Sequence, residues 1–593
     1  MILQRLAEHY DRIAQDPQSE LAPPGFSRQK ISFCIVLNPD GTLNQFEPLQ
    51  EQDGKAKRAK SMIVPGQSKP TGQGLNPCIL WDNAAYLLGY TVDETRKERA
   101  TKAFEKSREM HLALESAINH PSYSAVCMFL RSWSPEEALT HADLEEKASN
   151  FGIYRLAGHT QYVHEEVSLL KEIGEGREAE SDLVATCLVS GEVGPVARLH
   201  EPKIKDVADA QSSGALLVSF NASAFTSYGR DQSFNAPVSH AIVFKYANAL
   251  NHLIDKRRLR LGDMTVVHWA EHESVVDDVF STLFSGTPQE EDDAVNPTED
   301  KLRTAQVERL LGQLREGTEI TAVNFDERDT RFFILGLSPN KSRLSVRLWI
   351  ETNVTEILKR LQCHVKDFAL KGTFNDIATP LWRVALATGR AEFDAKGRRK
   401  SYDSKSISPK LAGDLARSVL TGAPYPQSLL ATMIRRIFSD GDIDFVRVSA
   451  IKACLLRNTR HTANPLEIPM ELDTDTADIA YRCGRLFAIL EKAQTDSVDG
   501  ELNVTIKDRY FSSACVTPGL VMPRLILLNS HHLRKLSVGS KVYYDRMMGE
   551  VTAGSFDFPR RLSIADQGKF IIGYFQQRQA LYTKKVTSSE EAA

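Results

Sequence analysis

The chain has 593 residues, more than one hydrophobic core organises, so about two to four domains are expected. Its 42% hydrophobic and 25% charged residues exclude wholesale disorder. A formal net charge of -4 excludes a surface that coats nucleic acid all over; any such binding must come from local basic patches.

Residues 1–14 place Ile2, Leu3, Leu6, Tyr10 and Ile13 on one helical face, without the apolar core of a signal peptide. No run reaches membrane-spanning length, so a soluble cytoplasmic protein is expected. The eight cysteines include no CxxC pair, which favours single buried thiols over a zinc ribbon or a disulfide framework. Residues 31–37 read as a strand, Asn38 to Gly41 as a turn and 42–46 as the return strand.

A basic run follows, with Lys55, Lys57, Arg58 and Lys60, and then a loop carrying Lys69, Gly72, Gln73, Gly74 and Asn76 between Pro70 and Pro77. Glycines let a backbone approach a ligand closely and lysines attract phosphate. The competing account is a solvated charge run on an ordinary loop. The stretch is not a P-loop, because GxxxxGK[ST] is absent.

Residues 94–118 are expected to form a long solvated helix, with further helices near 122–132 and 135–149. Short β-like runs then appear, notably 183–189. Residues 214–253 combine a short apolar run expected as a buried strand (215–218), a polar and aromatic loop, and a helix. That helix carries Ile242, Tyr246, Ala249, Leu250 and Leu253 on one face, with Ser239 at the N-cap position. The loop carries Asn221, Ser227, Tyr228, Arg230, Gln232 and Asn235 among Phe220, Phe225 and Phe234. Amides, hydroxyls and an arginine interleaved with aromatics are the parts that hold a nucleic acid. They equally suit a crossover whose amides satisfy its own backbone.

His268, in an expected strand at 265–269, reads as packed and satisfied rather than catalytic. The acidic, Pro- and Gly-containing stretch 286–300 reads as a linker or long loop. Val307, Leu310, Leu311 and Leu314 mark a helix. Residues 332–335 and 344–350 read as paired strands around 336–340, with Arg343 and Arg347 facing either nucleic acid or solvent. Helices dominate from Val354 onward, including 429–438 and 446–457, which bear Arg435, Arg436, Arg447 and Lys452. Residues 397–400 form a basic loop. Asp442, Asp444, Asp473 and Asp475 read as caps rather than metal ligands. Residues 470–593 read as a helical bundle. Its adjacent His531 and His532 face different sides of a helix and lack further ligands, so no metal site is expected. The expected fold is α+β: a mixed body over 1–285, the 286–300 segment, a mixed then helical middle domain over 301–469, and the bundle over 470–593.

Several of these stretches carry a resemblance to one family. The matching residues are Ser219, Phe220 and Asn221, Ala224 and Phe225, Ser227, Tyr228 and Gly229, Gln232, and Asn235 with Ala236 and Pro237. Upstream, Trp81, Asp82, Asn83, Tyr86 and Gly89 follow a related pattern. The run from Leu335 to Arg347 is similar to an LGLSPNxxRxxVR block. The C-terminal part matches at Tyr481 and Arg482, at Gly484 to Ala488, at Thr505 to Tyr510 and at Asp566 to Gly568. The chain thereby resembles the large subunit of the type I-C CRISPR interference complex (Cascade), the Cas-eight-c or Csd-one family.

The resemblance implies recognition of a protospacer-adjacent motif (PAM) in double-stranded target DNA, R-loop formation with CRISPR RNA, and support of the displaced strand. Its implied partners are the backbone, RNA-processing and small subunits and a separate helicase-nuclease, with no cofactor, no metal and no hydrolytic site of its own. Lys69, Gly72, Gln73, Gly74 and Asn76 are the first expected DNA contacts, and the residues named in the 219–235 loop are the second. Lys55, Lys57, Arg58, Lys60, Arg343, Arg347, Arg482, Arg485, Lys507, Arg509, Arg534 and Lys535 are expected along phosphate backbones. The family also implies a free copy of the C-terminal segment by internal translation, for which Met470 is the expected start. A metal-dependent nuclease needs clustered Asp, Glu and His, and neither HExxH nor a compact DxD at a strand end is present. A helical scaffold without nucleic acid leaves the Gly72–Gly74 loop unexplained.

Overall fold

The computed structural model describes residues 2–16, 19, 21–53, 56–66, 69, 74–141, 144, 151–166, 183–261, 264–272, 274–285, 297–316, 318, 329–371, 379–394, 399–403, 406–498, 504–554 and 556–583. The fold is α+β, with a mixed N-terminal part and helical C-terminal segments. The chain divides into two compact units, Met1–Lys256 with Ser338–Ser345, and Arg257–Leu337 with Val346–Ala593.

The first unit is organised around the strand Phe26–Leu37. Its first half pairs antiparallel with Ala56–Pro65, and its second half pairs on the same side with Leu43–Pro48. Its other side pairs in parallel with Phe151–Leu156, followed by Trp81–Asn83 at that edge. A strand buried on both faces reads as a continuous apolar run, and residues 31–37 are buried without a break. Gly152 is required beside it, since an added Cβ would lie 2.3 Å from the Phe33 ring. The helices Lys97–Ile118 and Pro121–Ser132 supply Phe104, Ile118, Val126 and Phe129 to the core over Phe33, Ile35 and Leu37. The helix Ile2–Ile13 buries Leu6 and Tyr10. The expected helix 135–149 is a 3-10 turn over Pro135–Thr140, and residues beyond it lie largely outside the described ones.

Four strands run in the order Arg343–Asn353, Arg331–Asn340, Met264–Ala270, Leu259–Leu261, all within the second unit except the hairpin tip Ser338–Ser345. Residues 336–340 belong to a strand, not to the turn expected there; the reversal falls at Lys341, whose φ is +56°. Gly336 lies in that strand because Met264 and Leu348 press within 2.6 and 2.9 Å of where a Cβ would sit. One continuous apolar core runs from Leu259 to Phe575. The boundary expected at 285/286 therefore falls inside this unit, where Phe280 and Leu283 share a core with Leu310 and Leu314. The same holds at 469/470: an added Cβ on Gly568 would meet Ile451 at 2.9 Å and Leu455 at 3.1 Å.

Among the described residues five helices follow Met470: Ile479–Asp496, Ile506–Val516, Pro518–Leu533, Val538–Thr552 and Ile564–Tyr582. The first and last lie against each other at backbone distance through Gly484 and Gly573.

Candidate nucleic-acid interface

The expected strand over residues 215–218 is reduced to two single bridges, Ala215 to Ile204 and Leu216 to Arg343. Each neighbour meets this segment at one residue only, so no ladder forms. Gly214 makes the first bridge possible: its φ is +85°, and a Cβ would lie 2.9 Å from the Cβ of Lys203.

Beyond the bridges, residues 221–230 are exposed without interruption. Asn235 gives this loop its shape. Its side-chain oxygen accepts from the Ser227 N–H at 3.1 Å, and its amide donates to the carbonyls of Arg230 (2.8 Å) and Gln232 (3.0 Å). Tyr228 and Gln232 both adopt a φ of +49°, a left-handed conformation that an L-residue keeps only when its surroundings enforce it. The result puts the Tyr228 ring wholly in solvent, at 101% exposure.

The structure brings Arg343 to the same place. Leu344 N–H donates to the Leu216 carbonyl at 2.9 Å, and the Asn221 amide donates to Ser342 Oγ at 3.1 Å. The Arg343 guanidinium sits 5.2 Å from the centre of the Phe225 ring, and Phe225 packs edge-on to Phe220. Gln232 accepts from Arg198 at 3.1 Å. Asn221, Gln232 and Asn235 thus hold the loop together, while Tyr228 and Arg230 are presented outward. No spacing rule connects Arg343 to this loop, so their meeting was invisible in the sequence.

Of the first expected site, Gly72 and Gln73 lie outside the described residues, as does Lys55. Lys57 and Arg58 stand opposite Gln52 and Glu51 in a strand pair, and their side chains lie outside the described ones too. Lys60 is exposed. Gly74 is exposed, and a Cβ there would meet only the Asn76 side chain, at 3.2 Å. The Asn76 N–H donates to the Tyr86 hydroxyl at 3.3 Å.

Lys69 is engaged within the protein. Its ammonium pairs with the Asp82 carboxylate, donates to the Asn76 carbonyl at 2.6 Å and lies 3.3 Å from the centre of the Tyr86 ring. Asp82 is fully buried, also accepting N–H bonds from Cys78 and Asn83. Burial drives the Asp82 carboxyl upward, and the Lys69 charge opposes it. Lys69 therefore compensates a buried acid and anchors the loop, rather than standing free for phosphate.

In the second unit two further arginines make internal bonds. Arg485 is 5% exposed, donating to Gln577 at 3.0 Å and to the carbonyls of Asp473 and Thr474. Arg482 donates to the carbonyls of Val551 and Ala553. Both brace the bundle through these bonds. Arg347, Arg509, Arg534 and Lys535 are exposed, and Lys507 is half-buried. Arg447 and Lys452, on the helix Phe445–Thr459, are buried: Arg447 reaches Asp440 at 2.6 Å, and Lys452 donates to the Ala369 carbonyl. Arg399, from the basic loop, pairs with Asp442 and Asp444 at 2.5 and 2.7 Å. Asp444 also caps the helix through the Arg447 N–H, as expected of it.

His268 is fully buried, 3.1 Å from Asp277 through Nδ1 and 3.0 Å from Ser281 through Nε2. The order of groups is that of a catalytic triad, but the imidazole lies between the rings of Phe280 and Phe332, 4.6 and 5.9 Å away. Asp277 is also taken by Arg257 at 2.7 Å. The trio is a satisfied polar network in the core. Among the described residues no group of His, Cys, Asp and Glu could hold a metal ion, and no helix is long and apolar enough to cross a membrane.

No curated protein matches the chain. Comparison with protein families matches residues 6–582, nearly the whole sequence, to the family described as CRISPR-associated protein (Cas_Csd1). The match spans both units, so it takes in the exposed loop, the strand hairpin and the C-terminal helices together. The chain belongs to the Csd1 family of CRISPR-associated proteins and is a type I-C Cascade large subunit.

Proposed function

We propose that this subunit reads the PAM in duplex DNA through the loop at 219–235 and the hairpin tip carrying Arg343. The observation that carries this reading is the loop itself: eleven consecutive exposed residues, 221–231, fixed by Asn235, that offer Tyr228 as a stacking face and Arg230 as a phosphate partner. Base-pairing with the guide RNA then reads the sequence, while protein reads only a short duplex motif. Small polar side chains suit the minor groove, where few acceptors distinguish the bases.

The displaced strand runs along exposed cations of the second unit, with Arg509, Arg534 and Lys535 among them. The chain binds and recruits a separate helicase-nuclease instead of cleaving. The region after Met470 also serves as a free small subunit, translated from that methionine. Substituting Tyr228 and Arg230 together by Ala in the assembled complex tests the central claim. Loss of PAM-dependent binding with intact assembly supports it, and unchanged discrimination between PAM and non-PAM duplexes refutes it.

A further inference from the structure

A cavity of about 410 Å³ opens in the first unit. Its floor is the start of the strand Phe26–Leu37, where the Ser27 and Gln29 side chains are 4% and 3% exposed. One wall is the segment 201–206, and another is the helix His240–Arg257. Asn251 pins the two walls together, accepting from the Lys205 N–H at 2.9 Å and donating to the Lys203 carbonyl at 3.0 Å. Gly214 packs against the same segment from behind. The shape is thus held by hydrogen bonds and close packing.

Five cations and three carboxylates line this cavity. Two of the cations are already compensated: Arg28 by Ser61 at 2.7 Å and Asp255 at 3.5 Å, and Lys69 by Asp82. Lys30 and Lys205 differ. Among the described residues, neither ammonium group is placed in an ion pair or a hydrogen bond. Burial pushes the Lys205 ammonium below its ordinary range; Asp206 opposes this, and the charge of Lys30 adds to it. Five cations against three carboxylates leave this polar cavity an excess of positive charge, which an anion between Lys30 and Lys205 would offset.

We propose that this cavity receives one nucleotide of a nucleic-acid strand, with its phosphate between Lys30 and Lys205 and its sugar or base edge over Ser27, Gln29 and Asn248. The volume lies in the range of about 300–1,000 Å³ that small ligands occupy. Hydroxyl and amide groups on the floor, where Gln29 donates to Ser27 at 3.1 Å and Asn248 to the Phe244 carbonyl at 2.9 Å, make a polar surface suited to a sugar or base edge. The inference rests on the proposed function, because the strand comes either from the guide RNA or from the target DNA.

Lysine acetylation of the whole complex, read by mass spectrometry, tests it. Lys30 and Lys205 are expected to be protected several-fold, while Lys102, exposed on the helix Lys97–Ile118, is not. Protection in the guide-loaded complex alone identifies RNA; protection that appears only after adding PAM-containing duplex identifies DNA. Protection that survives nuclease digestion, or none in either state, overturns the proposal. As a second measurement, the Lys30→Gln/Lys205→Gln variant should lower the slope of log affinity against log salt by about 1.4–1.8, with the Arg/Arg variant retaining it. An unchanged slope for the bound strand identified by protection overturns the proposal. A complex that ignores the PAM yet shows guide-dependent protection would overturn the proposed function and leave the cavity assignment standing.

Discussion

Gly484→Ala should loosen the C-terminal helices more than any ordinary methyl addition. A Cβ at Gly484 would lie 1.9 Å from the Phe570 carbonyl oxygen and 2.8 Å from the Tyr574 nitrogen. Both obstacles are backbone of the helix Ile564–Tyr582, so no side chain can rotate away. Reaching an ordinary 3.4 Å contact from 1.9 Å requires the axes to part by about 1.5 Å. A gap of even 0.5–1 Å forfeits roughly a quarter to a half of each dispersion contact, and Phe487, Phe570 and Tyr574 lie at this seam. Overpacking of this kind costs about 1–3 kcal/mol, and an unyielding backbone places this case at the upper end. Replacing a mid-helix glycine by alanine returns about 1 kcal/mol of helix propensity.

The net expectation is a loss of about 2 kcal/mol, seen as a lower urea midpoint for the second unit. Gly573→Ala, whose Cβ would lie 2.2 Å from the Tyr481 carbonyl oxygen, should behave alike. The double variant should cost less than the sum, because parting the helices for one methyl makes room for the other. A neutral or stabilising Gly484→Ala, or strict additivity, would refute this account of the seam.

Lys69→Met leaves the buried Asp82 carboxylate uncompensated and should destabilise the first unit by about 3 kcal/mol in denaturant titration; a stability-neutral variant with weakened DNA binding would restore Lys69 as a phosphate contact. Asp367→Ala strands Arg457, bonded to it at 2.8 Å and 1% exposed at its side chain, and should cost about 3–5 kcal/mol by the same measurement. His364 is buried beside Tyr425, and burial, helped by the Arg457 charge, lowers its pKa from 6.5 to about 3. Below pH 6.5 the unfolded chain takes up a proton that the folded one refuses. Stability is therefore full above that value and falls by about 1.4 kcal/mol per pH unit toward the folded value. Thermal melts from pH 7 to 4 should show a shallower acid slope in His364→Gln, and an identical slope would refute it. Asn235→Ala should leave the global melting point nearly unchanged but speed amide exchange over residues 227–232, since that side chain alone joins three parts of the loop.

The sequence by itself determined most of the local structure, because local structure follows periodicity and capping. The helix facing Leu6 and Tyr10 inward, the hairpin around residues 38–41, the Met264–Ala270 strand and the C-terminal helices were all legible one segment at a time. The residue patterns around 219–237 and in the C-terminal helices were enough to place the chain in its family. Charge was where the sequence misled. Arg447, Lys452 and Arg485 read as cations on amphipathic helices, and Lys69 as a loop lysine open to phosphate.

Whether a cation faces water depends on where its carboxylate or carbonyl partner stands in space. Many of those partners lie far along the chain, 60 residues for Arg447 and the Ala387 carbonyl and 92 for Arg485 and Gln577. Only tertiary structure could pair them. It also brought Arg343 to Phe225, set Lys30 and Lys205 at one cavity, and let two helix backbones touch at Gly484 and Gly573. Each is a contact between segments distant in the chain, where helical and strand periodicities carry no information.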